Sequence, residues 1–380
     1  MAILESFKKE IHCALFMSNH PVIEQDLKEI SERIAGIAYN LEGKTLLITG
    51  GAGFLGNYIV REISYLNAKV FKTPCKVIVL DNFITGLRDL FNGDSNVNLI
   101  EHDITKPIDL PENIDYILHA ASIASPLFYN KYRIETIDVG IFGTKNLLEV
   151  ARQKNVKSFV FFSSSEIYGD PDPKYVPTPE NYFGNVSSIG PRACYDEPKR
   201  IGETLCVNYH EIYKVPAKII RIFNVYGPGI RLDDRRVVPN FVVAGLKGHG
   251  IPIHDEGRHT RAFCYITDIV TGIFLILFSD HNGEAFNIGN DTQEVSIESL
   301  ANVTSEVFRN EFNINVNVSK IISPLDVYAK ADPKRRCPDL GKIQRAVGYN
   351  PQVDLHEGIK RFIGWAKDQK VDHIEMKHTL

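Results

Sequence analysis

The chain has 380 residues, 44% hydrophobic and 24% charged. This is ordinary globular composition, long enough for two or three units with a sizeable core, and it excludes disordered, collagen-like and disulfide-scaffold classes. Its 43 basic and 47 acidic side chains give a formal net charge of −4, which offers nothing to a nucleic-acid backbone or an anionic membrane surface.

Residues 1–43 precede the main pattern and are expected to form an N-terminal helical extension. The apolar stretch 11–17 has no signal-peptide cleavage site after it. In 22–41, Ile23, Leu27, Ile30, Ile34 and Ile37 recur at helical spacing, with Glu24, Asp26, Lys28, Glu29, Glu32 and Arg33 between them. This predicts one amphipathic helix, packed on its own domain or on another copy. Its polar face is not basic, which argues against a membrane-surface role.

Short apolar runs follow at 44–49, 77–80, 116–119, 159–162 and 217–222, with helical stretches such as 141–154 and 198–213 between them. Strands alternating with helices predict an α/β fold, a Rossmann-type doubly wound parallel sheet. Residues 44–225 form the expected dinucleotide-binding domain. Residues 226–380 are richer in Pro, Gly and charge. They read as a mainly substrate-binding, smaller α/β region with some segments returning to the sheet. Helices are expected at 237–246, 266–278 and 297–308, and a strand at 251–254.

The first strand runs into Gly50-Gly51-Ala52-Gly53-Phe54-Leu55-Gly56, and an amphipathic helix follows. Small residues let the backbone approach a pyrophosphate, and the helix amides point at it. Asp81 ends the second strand, 28 residues after Gly53. A carboxylate there accepts from a ribose diol and repels a 2′-phosphate, so NAD is favoured. A turn aspartate is the plain alternative, and Arg88 leaves NADP open. Asp103 can reach an adenine or simply cap a strand end.

After 159–162 come Ser163-Ser164-Ser165-Glu166, and later Tyr195 and Lys199, four apart and on one helical face. A Lys ammonium lowers a Tyr pKa, and the phenolate can take a hydroxyl proton while hydride leaves the same carbon. Pro198 fits if the helix begins at about Asp196, since proline suits a first turn. Glu166 also reads as an ordinary surface acid. Six scattered cysteines without a CxxC pair, and histidines without ligand spacing, predict no metal site and a reducing, cytoplasmic location. His119, at a strand end, reads as structural.

Together TGGAGFLG, DNFITG, ASIASP, SSSEIYGDP, SIGPRACYDEPKR, RIFNVYGP, RRVVPNF, TRAFCYITD and ADPKRRCPD resemble, in order across residues 44–350, the extended short-chain dehydrogenases/reductases that act on nucleotide sugars. Within that group the chain is most similar to the UDP-glucuronate decarboxylase branch. The resemblance implies a bound, recycled NAD and a homodimer. It implies NAD contacts at Gly50, Gly53, Phe54, Leu55, Gly56, Asp81, Asn82, Asp103, Ile104, Ala120, Ser122, Tyr195 and Lys199. Catalysis is implied for Tyr195, Lys199, Ser165 and Glu166, with Glu166 guiding protonation at C5. A UDP-sugar is expected at Ser125, Asn224, Arg236, Arg261 and Arg336, where arginine forks suit phosphate and Arg261 can instead face a sugar carboxylate. Ser165 stands where 4,6-dehydratases acting on dTDP-glucose carry an acid. GDP-mannose dehydratases share the Ser-Glu pair, so dehydration stays a rival, as does 4-epimerisation. An inactive nucleotide-binding regulator is the rival outside enzymes.

Three departures stand out. Gly140 replaces an Asn of the family. Gly229-Ile230 replaces an Arg-Met pair, with Arg231 as the candidate substitute. The stretch between Glu166 and Tyr195 is two residues longer than usual.

Overall fold

A computed structural model describes residues 20–88, 90–254, 257–321, 332–371 and 374. The apolar stretch 11–17 lies outside them.

Seven parallel strands form the central sheet: β1 (Thr45–Thr49), β2 (Lys76–Asp81), β3 (Val97–Glu101), β4 (Tyr116–His119), β5 (Ser158–Ser164), β6 (Ala217–Ile222) and, returning late in the chain, β11 (Ala285–Ile288). Their order is β11-β6-β5-β4-β1-β2-β3. The direction of winding reverses between β1 and β4, and a crevice opens at the carboxyl ends of strands at such a switch point. Side chains alternate between two covered faces. Leu46 and Ile48 join one apolar cluster, with Ile59 and Ile63 of α2 (Phe54–Lys69) and Ile269 and Ile273 of α8 (Ile266–Leu277). Leu47 joins the other, with Leu147 of α5 (Thr144–Lys154) and Cys206 of α6 (Ala193–Tyr213).

A smaller region sits over the strand ends. Within it β7 (Val225–Tyr226) pairs with β10 (Cys264–Tyr265), and β8 (Ile251–His254) with β13 (Val318–Ile321). A three-stranded sheet runs β12 (Glu294–Ser296), β9 (Thr260–Ala262), β14 (Arg335–Arg336). In it Arg336 lies in register beside Arg261.

The predicted helix over 22–41 is shorter. α1 spans Pro21–Arg33, and a separate 3-10 turn covers Ala38–Leu41. The chain breaks near Gly36, a poor helix former. The stripe Ile23, Leu27, Ile30 and Ile34 is buried within this chain. Asp26, read as part of the polar face, is fully buried instead. It accepts from Tyr58 Oη (2.7 Å), Tyr265 Oη (2.8 Å) and Arg361 Nη1 (3.0 Å). Arg361 belongs to α11 (Leu355–Ala366), so α1 bridges the sheet layer and the last long helix.

Helix α6 begins at Ala193, three residues before the expected start, and Pro198 lies inside it. The preceding α4 (Arg133–Asp138) runs into a π-helical turn, Val139–Gly143, that packs on α6. A Cβ on Gly140 would stand 2.4 Å from Pro198 Cβ. Only glycine fits there, so the glycine that departs from the family pattern and the proline inside the helix form one contact.

Candidate active site

The carboxyl ends of the sheet strands open into a cavity of about 780 Å³. All the residues singled out above for cofactor, substrate or catalysis line it. Convergence of sites this far apart in sequence on one cleft is the usual mark of a binding site in an open α/β sheet.

One end is built from the glycine loop. Gly50 has φ +70°, and a Cβ there would stand 2.7 Å from the Ala121 backbone. A Cβ on Gly56 would reach 2.3 Å from the Gly50 carbonyl oxygen. The loop is therefore closed to side chains and delivers the first amides of α2 to the cavity. Asp81 accepts from the Ala52 and Phe83 amides, at 3.0 and 2.8 Å. Burial raises its pKa against those two amides. Arg88 forks onto Glu101, at 2.6 and 2.7 Å. Asp103 lines the cavity and also accepts from the Thr105 amide at 3.0 Å, so it is a strand-end turn residue as well.

The middle holds Tyr195 and Lys199, both buried. Tyr195 stacks on Tyr129, with centroids 5.2 Å apart, and the Ser164 hydroxyl lies near enough to favour its ionised form. Lys199 Nζ donates to the Phe162 carbonyl at 2.6 Å and stands 5.7 Å from the Tyr195 ring centre. The expected depression of the tyrosine pKa is absent. Burial pushes Tyr195 up to about 12, against the Ser164 hydroxyl, and burial pulls Lys199 down to about 7. Desolvation dominates both groups. Ser164 escaped the sequence reading, which placed the emphasis on Ser165. The signal was present: Ser164 is the last residue of β5 and caps the following turn, Ser165–Tyr168, by accepting from the Glu166 amide.

The far wall is ionic. Arg336 forks onto Glu166 at 2.7 and 2.8 Å, and Arg192 Nη2 closes on the same carboxylate. Arg192 Nη1 also contacts Asp332 Oδ1 at 3.2 Å, whose Oδ2 accepts from Arg261 Nη2 at 2.5 Å. Burial raises the Glu166 pKa, but Arg192 and Arg336 outweigh it and hold it at about 2. Glu166 is a carboxylate clamped by two arginines, not a loose surface acid. Arg192 and Asp332 were missed, since only the fold brings them to Glu166.

Ser125 Oγ donates to Asp234 at 3.3 Å, and Asp234 is forked by Arg236 at 3.0 and 2.7 Å. Asn224, at φ +22°, donates to the Ala262 carbonyl. Arg231 lines the cavity, as a substitute for the missing family arginine would, but forks onto Asp233. His119 is buried between the hydroxyls of Thr49 and Thr144 at 3.0 Å each, and burial lowers its pKa to about 3. It is structural, as expected.

Residues 46–289 match the NAD dependent epimerase/dehydratase family. UDP-glucuronic acid decarboxylase 5 of Arabidopsis thaliana is 38% identical over 317 residues, 83% of this chain and 86% of that relative. The chain belongs to the NAD dependent epimerase/dehydratase family. Solved relatives include a dTDP-glucose 4,6-dehydratase of Streptomyces venezuelae with NAD bound, 26% identical with a TM-score of 0.71 over 85% of this chain and 97% of that one. A Thermotoga maritima UDP-glucose 4-epimerase with UDP-glucose is 25% identical, with a TM-score of 0.72 over 84% and 98%. The chain's own residues fit the cofactor of this epimerase/dehydratase family. The side-chain-free loop at Gly50 and Gly56 suits a pyrophosphate, and Asp81 suits an unphosphorylated ribose. Among the described residues no cluster suits a metal ion, and no helix is long and apolar enough to cross a membrane.

Proposed function

We propose that this chain decarboxylates UDP-glucuronate to UDP-xylose through a 4-keto sugar. The observation that carries the reading is the ionic wall: three guanidiniums and two carboxylates lie in the same cavity as Tyr195 and, with the neighbouring Asp196 carboxyl pushed up to about 8 by burial, leave one positive charge over. A neutral hexose has no use for that charge, while a hexuronate brings the anion that matches it.

Tyr195, as the phenolate after releasing its own proton to solvent, takes the proton from O4, with the Ser164 hydroxyl beside it. NAD, which the Gly50–Gly56 loop and Asp81 would hold, would accept the C4 hydride and give it back at the end, so it would be regenerated. With C4 a ketone, the carboxylate on C5 belongs to a β-keto acid. The C5–carboxylate bond breaks, carbon dioxide leaves, and the electron pair rests on the C4 oxygen as an enolate; C5 then takes a proton from water, which restores the C4 ketone. Tyr195 and Ser164 sit where that oxygen is stabilised by hydrogen bonds. Glu166 holds Arg192 and Arg336 in place rather than giving up a proton. Ser165 lines the cavity where elimination of water would need an acid. Asn224, Arg236 and Ser125 are assigned to the nucleotide diphosphate and sugar. The NAD side is taken as residues 44–225 and the substrate side mainly as 226–380.

We also propose a homodimer in a reducing, cytoplasmic setting. Support comes from the exposed Ile134, Phe142, Ile201 and Ile212 along α4, the π turn and α6. Unpaired Cys75, Cys194, Cys206, Cys264 and Cys337 fit that setting. Light scattering at several concentrations checks the dimer, and a monomer throughout would remove it.

The functional test is mass spectrometry of products from UDP-glucuronate and a panel of neutral UDP-, dTDP- and GDP-hexoses. Conversion of UDP-glucuronate to a UDP-pentose is the expected outcome. Loss of water from a neutral hexose, with UDP-glucuronate untouched, would make this a dehydratase. Isomerisation of a hexose alone would make it an epimerase.

A further inference from the structure

Asp332 fills one of the two places on the ionic wall where guanidinium edges converge, Glu166 filling the other. Arg192 spends Nη2 on Glu166 and turns Nη1 to Asp332. Arg261 spends Nη1 on the carbonyls of Thr260 and Lys334, at 2.8 and 3.4 Å, and turns Nη2 to Asp332. The edge of Arg261 that faces the cavity partner is therefore already taken by a carboxylate. A second carboxylate cannot share it without like-charge repulsion.

The five members differ in how firmly they are held. Side chains of Arg192, Arg261, Arg336 and Glu166 are 10%, 7%, 8% and 14% exposed, and that of Asp332 is 36% exposed. Glu166 is gripped through both oxygens by Arg336 and again by Arg192. Asp332 makes one bond per oxygen, and water already reaches it. Of the two carboxylates, only Asp332 regains hydration cheaply on leaving.

Building on the decarboxylase reading, we propose that Asp332 is a placeholder for the substrate carboxylate, exchanged for it at Arg192 and Arg261 when a hexuronate binds. Asp332 thereby sets specificity. A neutral hexose cannot displace it, whereas a hexuronate supplies an equivalent anion at the same guanidinium edges. Decarboxylation turns the substrate's anion into neutral carbon dioxide, and Asp332 can then return to the arginines. The UDP-pentose product has no carboxylate to compete with it, so substrate and product differ in affinity by what Asp332 controls.

The test uses full-length chain carrying Tyr195→Phe, which blocks turnover, loaded with NAD. Calorimetry measures UDP-glucuronate and UDP-xylose with and without Asp332→Asn. Removing the competitor should tighten UDP-glucuronate about fivefold and leave UDP-xylose within about twofold. Unchanged or weaker UDP-glucuronate binding would overturn the proposal. Equal tightening of both ligands would also overturn it, since that is a general charge effect on the diphosphate. With Arg261→Ala also present, Asp332→Asn should no longer tighten UDP-glucuronate; persistent tightening would contradict the exchange at Arg261. Failure of the decarboxylase reading looks different: the unmutated chain would release no carbon dioxide from UDP-glucuronate and would not favour it over UDP-glucose.

Discussion

Glu166 in the cavity wall and Asp26 beneath the N-terminal helix are both carboxylates taken out of water, and they titrate very differently. Burial raises both. For Glu166, Arg192 and Arg336 overcome it and hold the group at about 2. For Asp26, burial wins against two tyrosine hydroxyls and Arg361 and brings the group to about 7. The difference is the supply of cations. Arg336 gives both of its terminal nitrogens to Glu166, whereas Arg361 is divided among Asp26, Glu29 and Glu357, at 3.0, 2.7 and 2.8 Å. The clamp has just enough charge to tie α1 to α11. The cavity wall has more cation than its own carboxylates use, which is what a site for an anionic substrate requires.

The largest expected effect separates the two regions outright. Tyr195→Phe should lower turnover by about a thousandfold or more while the melting temperature and NAD binding stay near those of the unmutated chain. Activity kept in that variant would remove Tyr195 from the chemistry. Next, Arg336→Ala leaves a buried carboxylate with one guanidinium. About 3 kcal/mol of stability should be lost, read by urea unfolding, and turnover should fall with it. An unchanged midpoint would show that the wall is not under charge strain.

The pH dependence should run in opposite senses. Glu166 has a folded pKa below the ordinary value of 4.5, so its stabilisation is present above about 4.5 and is lost as pH falls toward about 2. Asp26 has a folded pKa above the ordinary 3.8, so its stabilisation is full below 3.8 and is lost as pH rises through about 7. The melting-temperature gap between the unmutated chain and Asp26→Asn should therefore shrink between pH 4 and pH 8. A gap that widens would mean the aspartate is ionised when folded. The smallest effect concerns packing: Gly140→Ala should cost about 1–3 kcal/mol, and adding Pro198→Ala should restore most of it. No recovery would place the clash elsewhere.

Much of the frame was legible because its signals are local. Each apolar run became a strand of the sheet, and the glycine loop announced its turn by composition. The spacing of Tyr195 and Lys199 placed both on one helical turn facing the cavity. What stayed hidden depends on pairs distant in sequence. The burial of Asp26 requires Tyr58, Tyr265 and Arg361 to arrive from three other segments. Arg192 and Asp332 become a site only when the loop before β14 meets the start of α6. Gly140 and Pro198 each read as an anomaly, and only their contact explains both. The pKa of Tyr195 was hidden for a related reason: helical spacing says that a lysine is near, but not how deeply the tyrosine is buried.

The central claim is that the surplus cation on the cavity wall serves a carboxylate that is then lost. The most direct measurement is release of labelled carbon dioxide from UDP-glucuronate carrying carbon-13 at C6, using the full chain with NAD, beside the Arg261→Ala variant. The account predicts labelled carbon dioxide from the first and a strongly reduced rate from the second. No labelled carbon dioxide from the unmutated chain, or equal rates from both, would contradict it.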